Sequence, residues 1–575
     1  MTVQGAKYVW KLPKASADTV LTIASTYNLS VPIAQTLVTR GIVSHEQLDT
    51  YLFSVLDRDV EHPSRIRDAQ KAVDRIIQAL EKGEKILIAG DYDVDGITSS
   101  ALLLVCLLPL GANINFFLPN RVKDGYGLSV KTVERAVASG YTLIVTVDNG
   151  ITAFEPARKA RELGIDLIIT DHHKQHDELP DAYAIVNPNR NDCGSRFKFF
   201  AGVGVIFKVL SLLYEAKELS MPPKAYELLL LGTIADVVPL IGENRFWVRH
   251  GLHYINSVES PSLGMLKANG RITKPKLSSL DIGFSIAPQI NALGRLEDAR
   301  QGVRFLIGAD ANEIKEVGAV LLSLNETRKE IERKIFAEIK AEIDAGMIDV
   351  TKERVILAVG THWPPGVIGL VASRLVGMYG RPALLFHKTK DGLAKGSCRS
   401  IPAFNMFNAL HECKDLIEQF GGHIMAAGLS IKAERLPVLK ERLEQLAAQQ
   451  LTEKDLQLSV TLDAQALLSD LTKKFIKDMD YLEPFGNENK QPLFLIKDVT
   501  LVQQPILLKD AHVKCTLFAD GILKPIIFFN RPELFSRFMN QQERSFDVVA
   551  HVVENVWNGK TNIELSGIDV SRLVD

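Results

Sequence analysis

Cysteine is scarce. Cys106, Cys193, Cys398, Cys413 and Cys515 are the only ones in 575 residues, and none stands in Cys-x-x-Cys spacing. That excludes a disulfide framework and a structural zinc site of the usual ligand spacing, and a reducing, cytoplasmic location is expected. Apolar runs are short, well below the roughly 20 residues that a membrane-spanning helix needs, so no membrane association is expected. Residues 1–7 lack the apolar segment of a secretory signal. Excess charge is also missing: 67 Lys and Arg face 69 Asp and Glu, for a net charge of −2. This balance neither suggests nor forbids a nucleic-acid partner, because phosphate needs positive charge only where the strand lies. Internal repeats and low-complexity tracts are absent. The chain is too long for a single hydrophobic core, and about three or four domains are expected.

What is present is acid at the ends of apolar runs. Lys85-Ile86-Leu87-Ile88-Ala89-Gly90 meets Asp91-Tyr92-Asp93-Val94-Asp95-Gly96. Leu143-Ile144-Val145-Thr146-Val147 meets Asp148-Asn149-Gly150, and Asp166-Leu167-Ile168-Ile169-Thr170 meets Asp171-His172-His173. Each run reads as a buried strand and each sequel as a loop opening a helix. The helix after the first tip is predicted from near Thr98 to Leu108, and others over 153–163 and 224–235. Alternating strands and helices predict an open parallel sheet covered on both faces. Its strands would bring all three acidic tips to one crevice, where crowded carboxylates require a cation.

Elsewhere the organisation changes. Residues 1–60 read as a small helical lead-in, and 61–255 as the α/β domain with the acidic tips. A connector over 256–346 contains a helix at 310–346, with Ile314, Val317, Leu321, Leu324, Ile331, Ile335, Ile339 and Ile343 on one face. Asp310 with Glu313 resembles a capping box, and Gly346 supplies the stop. At 1.5 Å per residue this helix would span roughly 50 Å. It is read as a strut between two domains, with a long helix on one core as the alternative. A second α/β block follows at 347–450, opening with a strand at 354–359. Short strands at 493–496, 512–518, 525–529, 546–552 and 563–565 make 451–575 a small barrel or sandwich.

Asp91, Asp93 and Asp95 followed by Gly96 also resemble the start of an EF-hand loop. However, loop position 12 is Leu102 rather than Glu, and a strand rather than a helix precedes the segment. His172 and His173 add imidazole donors. Gly232-Thr233-Ile234-Ala235-Asp236 places one acid at the end of an apolar helix, where burial is costly unless the group is paired or coordinated. The alternative for Asp236 is a cap of the next turn. A mixed carboxylate and imidazole set suits Mn²⁺ or another first-row ion better than Mg²⁺.

In order and spacing, the four segments ending at Gly96, Gly150, His173 and Asp236 resemble the motifs of the DHH phosphoesterase superfamily. Gly396-Ser397-Cys398-Arg399-Ser400 and Gly421-Gly422-His423-Ile424-Met425-Ala426-Ala427-Gly428 resemble its companion DHHA1 domain. With the long helix, the β-rich tail and segments 118–127, 288–296 and 366–375, the chain is similar to the RecJ-type family of single-strand-specific 5′→3′ exonucleases. The likeness covers nearly everything from about residue 60. It implies an α/β fold in which a DHH-type parallel-sheet domain is joined by a long helix to a DHHA1 α/β domain, followed by a β-rich OB-like domain.

The resemblance further implies two divalent ions, Mn²⁺ first and Mg²⁺ as the alternative, that share a bridging water. By motif position Asp93, Asp95, Asp148, His172 and Asp236 would be ligands, with Asp148 the bridge. Asp91 would be a further ligand or support, and His173 would face the scissile phosphate or its leaving oxygen. Arg121, Ser397 and Arg399 would bind the 5′ end, with Gly421, Gly422 and His423 as a backbone cradle for phosphate. Alone, such a glycine stretch reads as an ordinary turn, and Lys123 beside Arg121 as a solvated loop. Arg295 is a candidate contact to the strand across a domain cleft, or else an exposed salt bridge. In the tail Phe518, Phe528, Phe529 and Trp557 are candidates to stack on bases, Trp557 foremost because it borders a predicted hairpin turn at 558–560.

The implied activity is hydrolysis of single-stranded DNA to 5′-mononucleotides, in a cleft that admits one strand but not a duplex. It implies a role in recombination and repair beside single-strand-binding protein and a RecQ-type helicase, and a monomer is expected. Two alternatives stay open. One is a related phosphoesterase acting on short oligonucleotides, nucleotide bisphosphates or pyrophosphate, and the other is a non-catalytic single-strand-binding scaffold.

Overall fold

The computed structural model describes residues 2–120, 125–296, 298–308, 310–540, 544–557 and 560–572. The chain forms two compact units. One comprises residues 42–325 and 478–491, the other residues 1–41, 326–477 and 492–575. Among the described residues no helix is long and apolar enough to cross a membrane.

The first unit is organised by a five-stranded, all-parallel sheet. Its order is Asn113–Phe117, Lys85–Ala89, Leu143–Val147, Asp166–Thr170, Ala184–Val186. Side chains alternate between two helical layers, as the two-residue period of a strand requires. Ile86, Ile88, Val145 and Val147 share a core with helices Val94–Leu107, Gly202–Ala216 and Lys224–Ala235. Leu87, Ala89, Ile144, Leu167 and Ile169 pack instead with helices Val130–Ala138 and Phe154–Glu162. Each buried Ile or Leu contributes about 1.5–3 kcal/mol by leaving water, so the strands make a stiff base for whatever sits at their ends. After Lys85–Ala89 the chain builds one side of the sheet, then crosses to the other. The carboxyl ends of Lys85–Ala89 and Leu143–Val147 therefore adjoin at a switch point.

Helix Val94–Leu107 begins four residues earlier than predicted. Asp93 caps it, accepting from Gly96 N at 3.1 Å, so Asp95 lies inside the first turn rather than in a loop.

The long helix is Ala311–Asp344. Asp310 Oδ1 accepts from Asn312 N (2.7 Å) and Glu313 N (3.2 Å), and Gly346 follows with φ +73°. Its apolar stripe is divided: Ile314, Val317 and Leu321 join the core of the first unit. Ile335, Phe336 and Ile339 join a core of the second.

In the second unit a mixed sheet runs Ile417–Gly422, Ala426–Lys432, Leu393–Arg399, Ala383–Lys388, Ile356–Gly360, antiparallel except for the last pair. Five later strands close into a barrel: Phe494–Leu501 pairs with His512–Ala519 and Phe546–Trp557, His512–Ala519 with Ile522–Phe528, and Lys560–Ser571 with Phe546–Trp557 and, in parallel, Ile522–Phe528. This is the strand connection of an OB fold.

The helical lead-in needs correction. Helices Ala17–Thr26, Val31–Thr39 and His45–Leu52 are present, but the chain opens with strands Thr2–Gln4 and Val9–Lys11, which form a sheet with Ser459–Thr461. The cause lies far away in sequence. Buried Asp569 accepts from Lys7 N (3.1 Å), Tyr8 N (2.9 Å) and Trp10 Nε1 (2.9 Å), and Arg531 lies 3.2 Å from its carboxylate.

Candidate metal centre

The sheet brings the acidic tips together. Asp148 occupies a left-handed backbone position (φ +60°), which Asp tolerates better than most residues. Neighbouring groups pin it there. Asn149 is buried and its Nδ2 donates to Ala89 O (3.0 Å) and Val147 O (2.8 Å). Thr146 Oγ1 donates to Asn149 O at 2.7 Å, and Asp148 N to Thr170 O at 3.1 Å. Asp95 accepts from Gly202 N (2.5 Å) and Val203 N (2.7 Å) at the start of helix Gly202–Ala216, where the helix dipole favours negative charge.

His172 points its Nε2 into this group. That atom is buried and makes no hydrogen bond among the described residues, yet lies 3.1 Å from Asp148 Oδ1, 3.6 Å from Asp236 Oδ2 and 3.9 Å from Asp95 Oδ2. Among the described residues, three sets of donor atoms each fall within 4.8 Å of one another: Asp91, Asp93 and Asp148; Asp95, His172 and Asp236; and Asp148, His172 and His173. Asp148 and His172 each belong to two sets.

Asp171 has a different task. Its Oδ1 accepts from His172 N (2.7 Å), His173 N (3.1 Å) and His173 Nδ1 (2.7 Å), and its Oδ2 from Ile151 N (2.9 Å). Burial would raise its pKa, but the His173 bond and charge outweigh this and hold it below the usual range. For His173 burial acts downward, and the bond to Asp171 prevails to raise it.

The other carboxylates are pushed the opposite way. Burial first, and then the charge of Asp93, raises Asp95 to about 7 against the hydrogen bonds from Gly202 and Val203. Burial and neighbouring acids hold Asp148 and Asp236 well above the carboxylate range. His172 is lowered to about 4, mainly by burial. A neutral imidazole with an uncommitted nitrogen among repelling carboxylates is a donor set that fits a divalent cation, because binding replaces the protons that otherwise relieve the repulsion.

This has a measurable consequence in the metal-free protein. A carboxyl with a folded pKa near 7 keeps its proton where the unfolded chain, with a pKa of about 3.9, has lost it. The contribution of Asp95 to stability therefore falls as pH rises from about 4 to about 7 and is level above that. In chelator, the melting temperature of wild type is expected to drop by several degrees relative to Asp95→Asn across this window, and Mn²⁺ should restore it. A wild-type-to-variant difference independent of pH would contradict the assignment.

Arg121 and Lys123 lie outside the described residues. Ser397 and Arg399 are on strand Leu393–Arg399, with an Arg399 guanidinium nitrogen 3.3 Å from Ser397 Oγ. Gly369 allows their approach, since a Cβ there would come 2.7 Å from Ser397 Oγ and 3.1 Å from the Arg399 guanidinium.

Gly421, Gly422 and His423 differ from expectation in backbone conformation. They are not an open loop: Gly421 and Gly422 end a strand paired with Gly428 and Ala427, and His423 N donates to Ala426 O at 2.7 Å. The ladder occupies one side of this strand only, because it is the outer strand of its sheet, and the three residues are exposed. Arg295 lies in helix Ala287–Leu296, half-buried. In the barrel Phe518 and Phe529 are exposed, whereas Phe528 is core and is corrected as a stacking candidate. The side chain of Trp557 lies outside the described residues, as does the turn at 558–559.

Sequence reasoning missed several residues. Tyr126 donates its hydroxyl to Asp148 O at 3.0 Å and packs edge-on to His173. Gly202 sits where a Cβ would come 2.6 Å from Asp148 Cβ; glycines 202 and 204 opening a helix were the available signal. Asn291, in the segment quoted at 288–296, accepts from Val94 N at 3.2 Å.

Family models match in the same order as the folded parts: the DHH family N-terminal domain at 85–233, the DHHA1 domain at 352–449 and the RecJ OB domain at 462–569. The single-stranded-DNA-specific exonuclease RecJ of Bacillus subtilis is 36% identical, over 97% of this chain and 70% of its own. That of Escherichia coli is 35% identical, over 79% of this chain and 81% of its own. The crystal structure of Thermus thermophilus RecJ in complex with Mn²⁺ superimposes with a TM-score of 0.82 at 27% identity, covering 98% of this chain and 79% of that one. Likeness of this extent reaches every part of the chain that carries the acidic crevice, the second sheet and the barrel, and the protein belongs to the RecJ family of single-stranded-DNA-specific exonucleases.

Proposed function

We propose that this protein is a divalent-metal-dependent exonuclease that degrades single-stranded DNA from its 5′ end to 5′-mononucleotides. The observation that carries the reading is the convergence of Asp95, Asp148 and Asp236 on the uncommitted Nε2 of His172. Asp93, Asp95, Asp148, His172 and Asp236 are assigned to hold two ions, with Asp148 between them and Asp91 in support. Mn²⁺ is assigned before Mg²⁺ on the mixed donor set. Bound there, the ions would supply charge neutralisation at a phosphodiester and acidify water.

The chain's own residues supply the rest. Asp171 fixes both histidines through their backbone amides and the His173 ring. With Nδ1 engaged, His173 has its Nε2 to offer as an N–H to a phosphate or a leaving oxygen. The raised pKa of His173 favours the form that can donate. Tyr126 braces the backbone of Asp148. Arg399 and Ser397, with Arg121, are assigned to the 5′-terminal phosphate, and Arg295 to the strand backbone. The OB-topology barrel is assigned to hold the following bases, with Phe518 and Phe529 exposed for stacking. A role in recombination and repair, beside a helicase and single-strand-binding protein, rests on family likeness.

The test is digestion of single strands labelled at the 5′ or the 3′ end, with Mn²⁺ or chelator. Label at the 5′ end should be released first as mononucleotide, and chelator should stop release. Arg399→Ala removes a charge-assisted hydrogen bond of about 1.5–3 kcal/mol. It should lower kcat/KM on 5′-phosphorylated strands about 10- to 100-fold. Release of 3′ label first, or undiminished digestion by Arg399→Ala, would overturn the assignment of direction.

A further inference from the structure

The turn after Asp236 holds an unfavourable backbone conformation. Helix Lys224–Ala235 closes with Asp236 N donating to Gly232 O (3.0 Å) and Val237 N to Ile234 O (3.2 Å). Val237 then has φ +60°. A left-handed residue after a helix is ordinarily glycine or asparagine, and a β-branched one there is an outlier that its surroundings must impose. Its own side chain does not impose it, because Val237 is 64% exposed.

The group that meets this turn is Asn487. Its Nδ2 donates to Val237 O at 2.8 Å, and its backbone oxygen accepts from Leu240 N at 2.9 Å. One residue thus grips both ends of the turn 237–240. Gly486 presses against the same turn, since a Cβ there would come 2.6 Å from Leu240 Cδ1.

Asn487 is exposed, but the segment that carries it is held on both sides. Residues 478–491 belong to the same compact unit as the acidic crevice. Gly486 N donates to Asn489 O (2.8 Å), and buried Asn489 donates to Leu482 O (2.9 Å) and Pro484 O (2.7 Å). Arg245 donates to Tyr481 O (2.7 Å) and Leu482 O (3.0 Å), and Ser279 to Phe485 O (2.7 Å).

We propose that Asn487 is a positioning residue for Asp236, holding the left-handed turn at Val237 so that Asp236 presents its carboxylate to His172 and Asp95. The inference rests on the metal reading above and names what keeps one of its ligands in place. Without Asn487 the Val237 peptide relaxes to a favoured conformation, and Asp236, the residue before it, loses its direction.

The test is Mn²⁺ affinity by titration calorimetry, beside melting temperature and single-strand binding in chelator. Groups that orient metal ligands change affinity about 10- to 100-fold. Asn487→Ala should weaken Mn²⁺ about 10-fold, with single-strand binding in chelator unchanged. Adding Val237→Gly to Asn487→Ala should recover affinity to within about threefold of wild type, because glycine takes the left-handed conformation unaided. Asn487→Asp keeps the shape and removes the donor; it should weaken Mn²⁺ as well and serves if the alanine variant fails to fold. Wild-type affinity in Asn487→Ala or Asn487→Asp, or no recovery on adding Val237→Gly, would overturn the proposal. If wild type itself binds no Mn²⁺, the metal reading has failed. If wild type binds, Asp148→Asn does not, and both Asn487 variants match wild type, only the positioning role has failed.

Discussion

Asp148→Asn is expected to reduce hydrolysis of single-stranded DNA by about 10³-fold while raising the melting temperature in chelator. The two effects share a cause. Asp148 is buried among Asp91, Asp93, Asp95 and Asp236, and burial together with their charges raises its pKa. Removing an acid that the fold disfavours relieves repulsion, and asparagine keeps the shape. The same change replaces one oxygen of a carboxylate that lies 3.1 Å from His172 Nε2 by an amide nitrogen and removes its charge, and Asp148 belongs to two of the three donor sets. Metal-centred charge stabilisation is worth several kcal/mol, and each 1.36 kcal/mol is tenfold in rate. Single-strand binding in chelator should persist, because the residues assigned to grip the strand are elsewhere. Measuring turnover, binding and melting on one preparation checks all three; full turnover by the variant would remove Asp148 from the centre.

Gly202→Ala should be nearly as damaging, without altering any charge. A Cβ at 202 would come 2.6 Å from Asp148 Cβ, 2.8 Å from its Cα and 3.0 Å from its Oδ1. Asp148 cannot give way, because Asn149, Thr146 and Thr170 fix the strand tip. Helix Gly202–Ala216 cannot withdraw freely, because Gly202 N and Val203 N are the hydrogen-bond partners of Asp95. Misplacing a reacting group by about 1 Å costs on the order of 10²-fold, and overpacking of this kind costs about 1–3 kcal/mol. Turnover about 10²-fold below wild type, with lower resistance to denaturant, is expected. Activity within about twofold of wild type would show that the helix and Asp148 are not coupled in this way.

How much was legible follows from distance along the chain. The strand tips were readable because each acid follows its own strand directly, so apolar run, tip and helix are one local pattern. The face of helix Ala311–Asp344 and its Asp310 cap were readable for the same reason. Parallel pairing then dictated that the tips converge. What escaped were partners joined only by the fold. Gly202 meets Asp95 across 107 residues, Asn487 meets Val237 across 250, and Lys7 meets Asp569 across 562. The loop expected at Gly421 and Gly422 is instead the end of an edge strand, because the same freedom that serves a phosphate loop serves a tight antiparallel ladder. In the barrel, Phe528 and Phe529 are neighbours in sequence but face opposite ways, and only the register assigns the first to the core.

Crowded acids and one neutral imidazole are thus assigned as a divalent-metal centre. The most direct test is the number of Mn²⁺ ions bound at saturation by wild type and by Asp148→Asn, with digestion of 5′-labelled strands followed in the same solutions. About two ions per wild-type chain, fewer in the variant, and release of label that rises with occupancy is the predicted result. Unchanged digestion by wild type stripped of metal, or equal Mn²⁺ binding by both proteins, would contradict it.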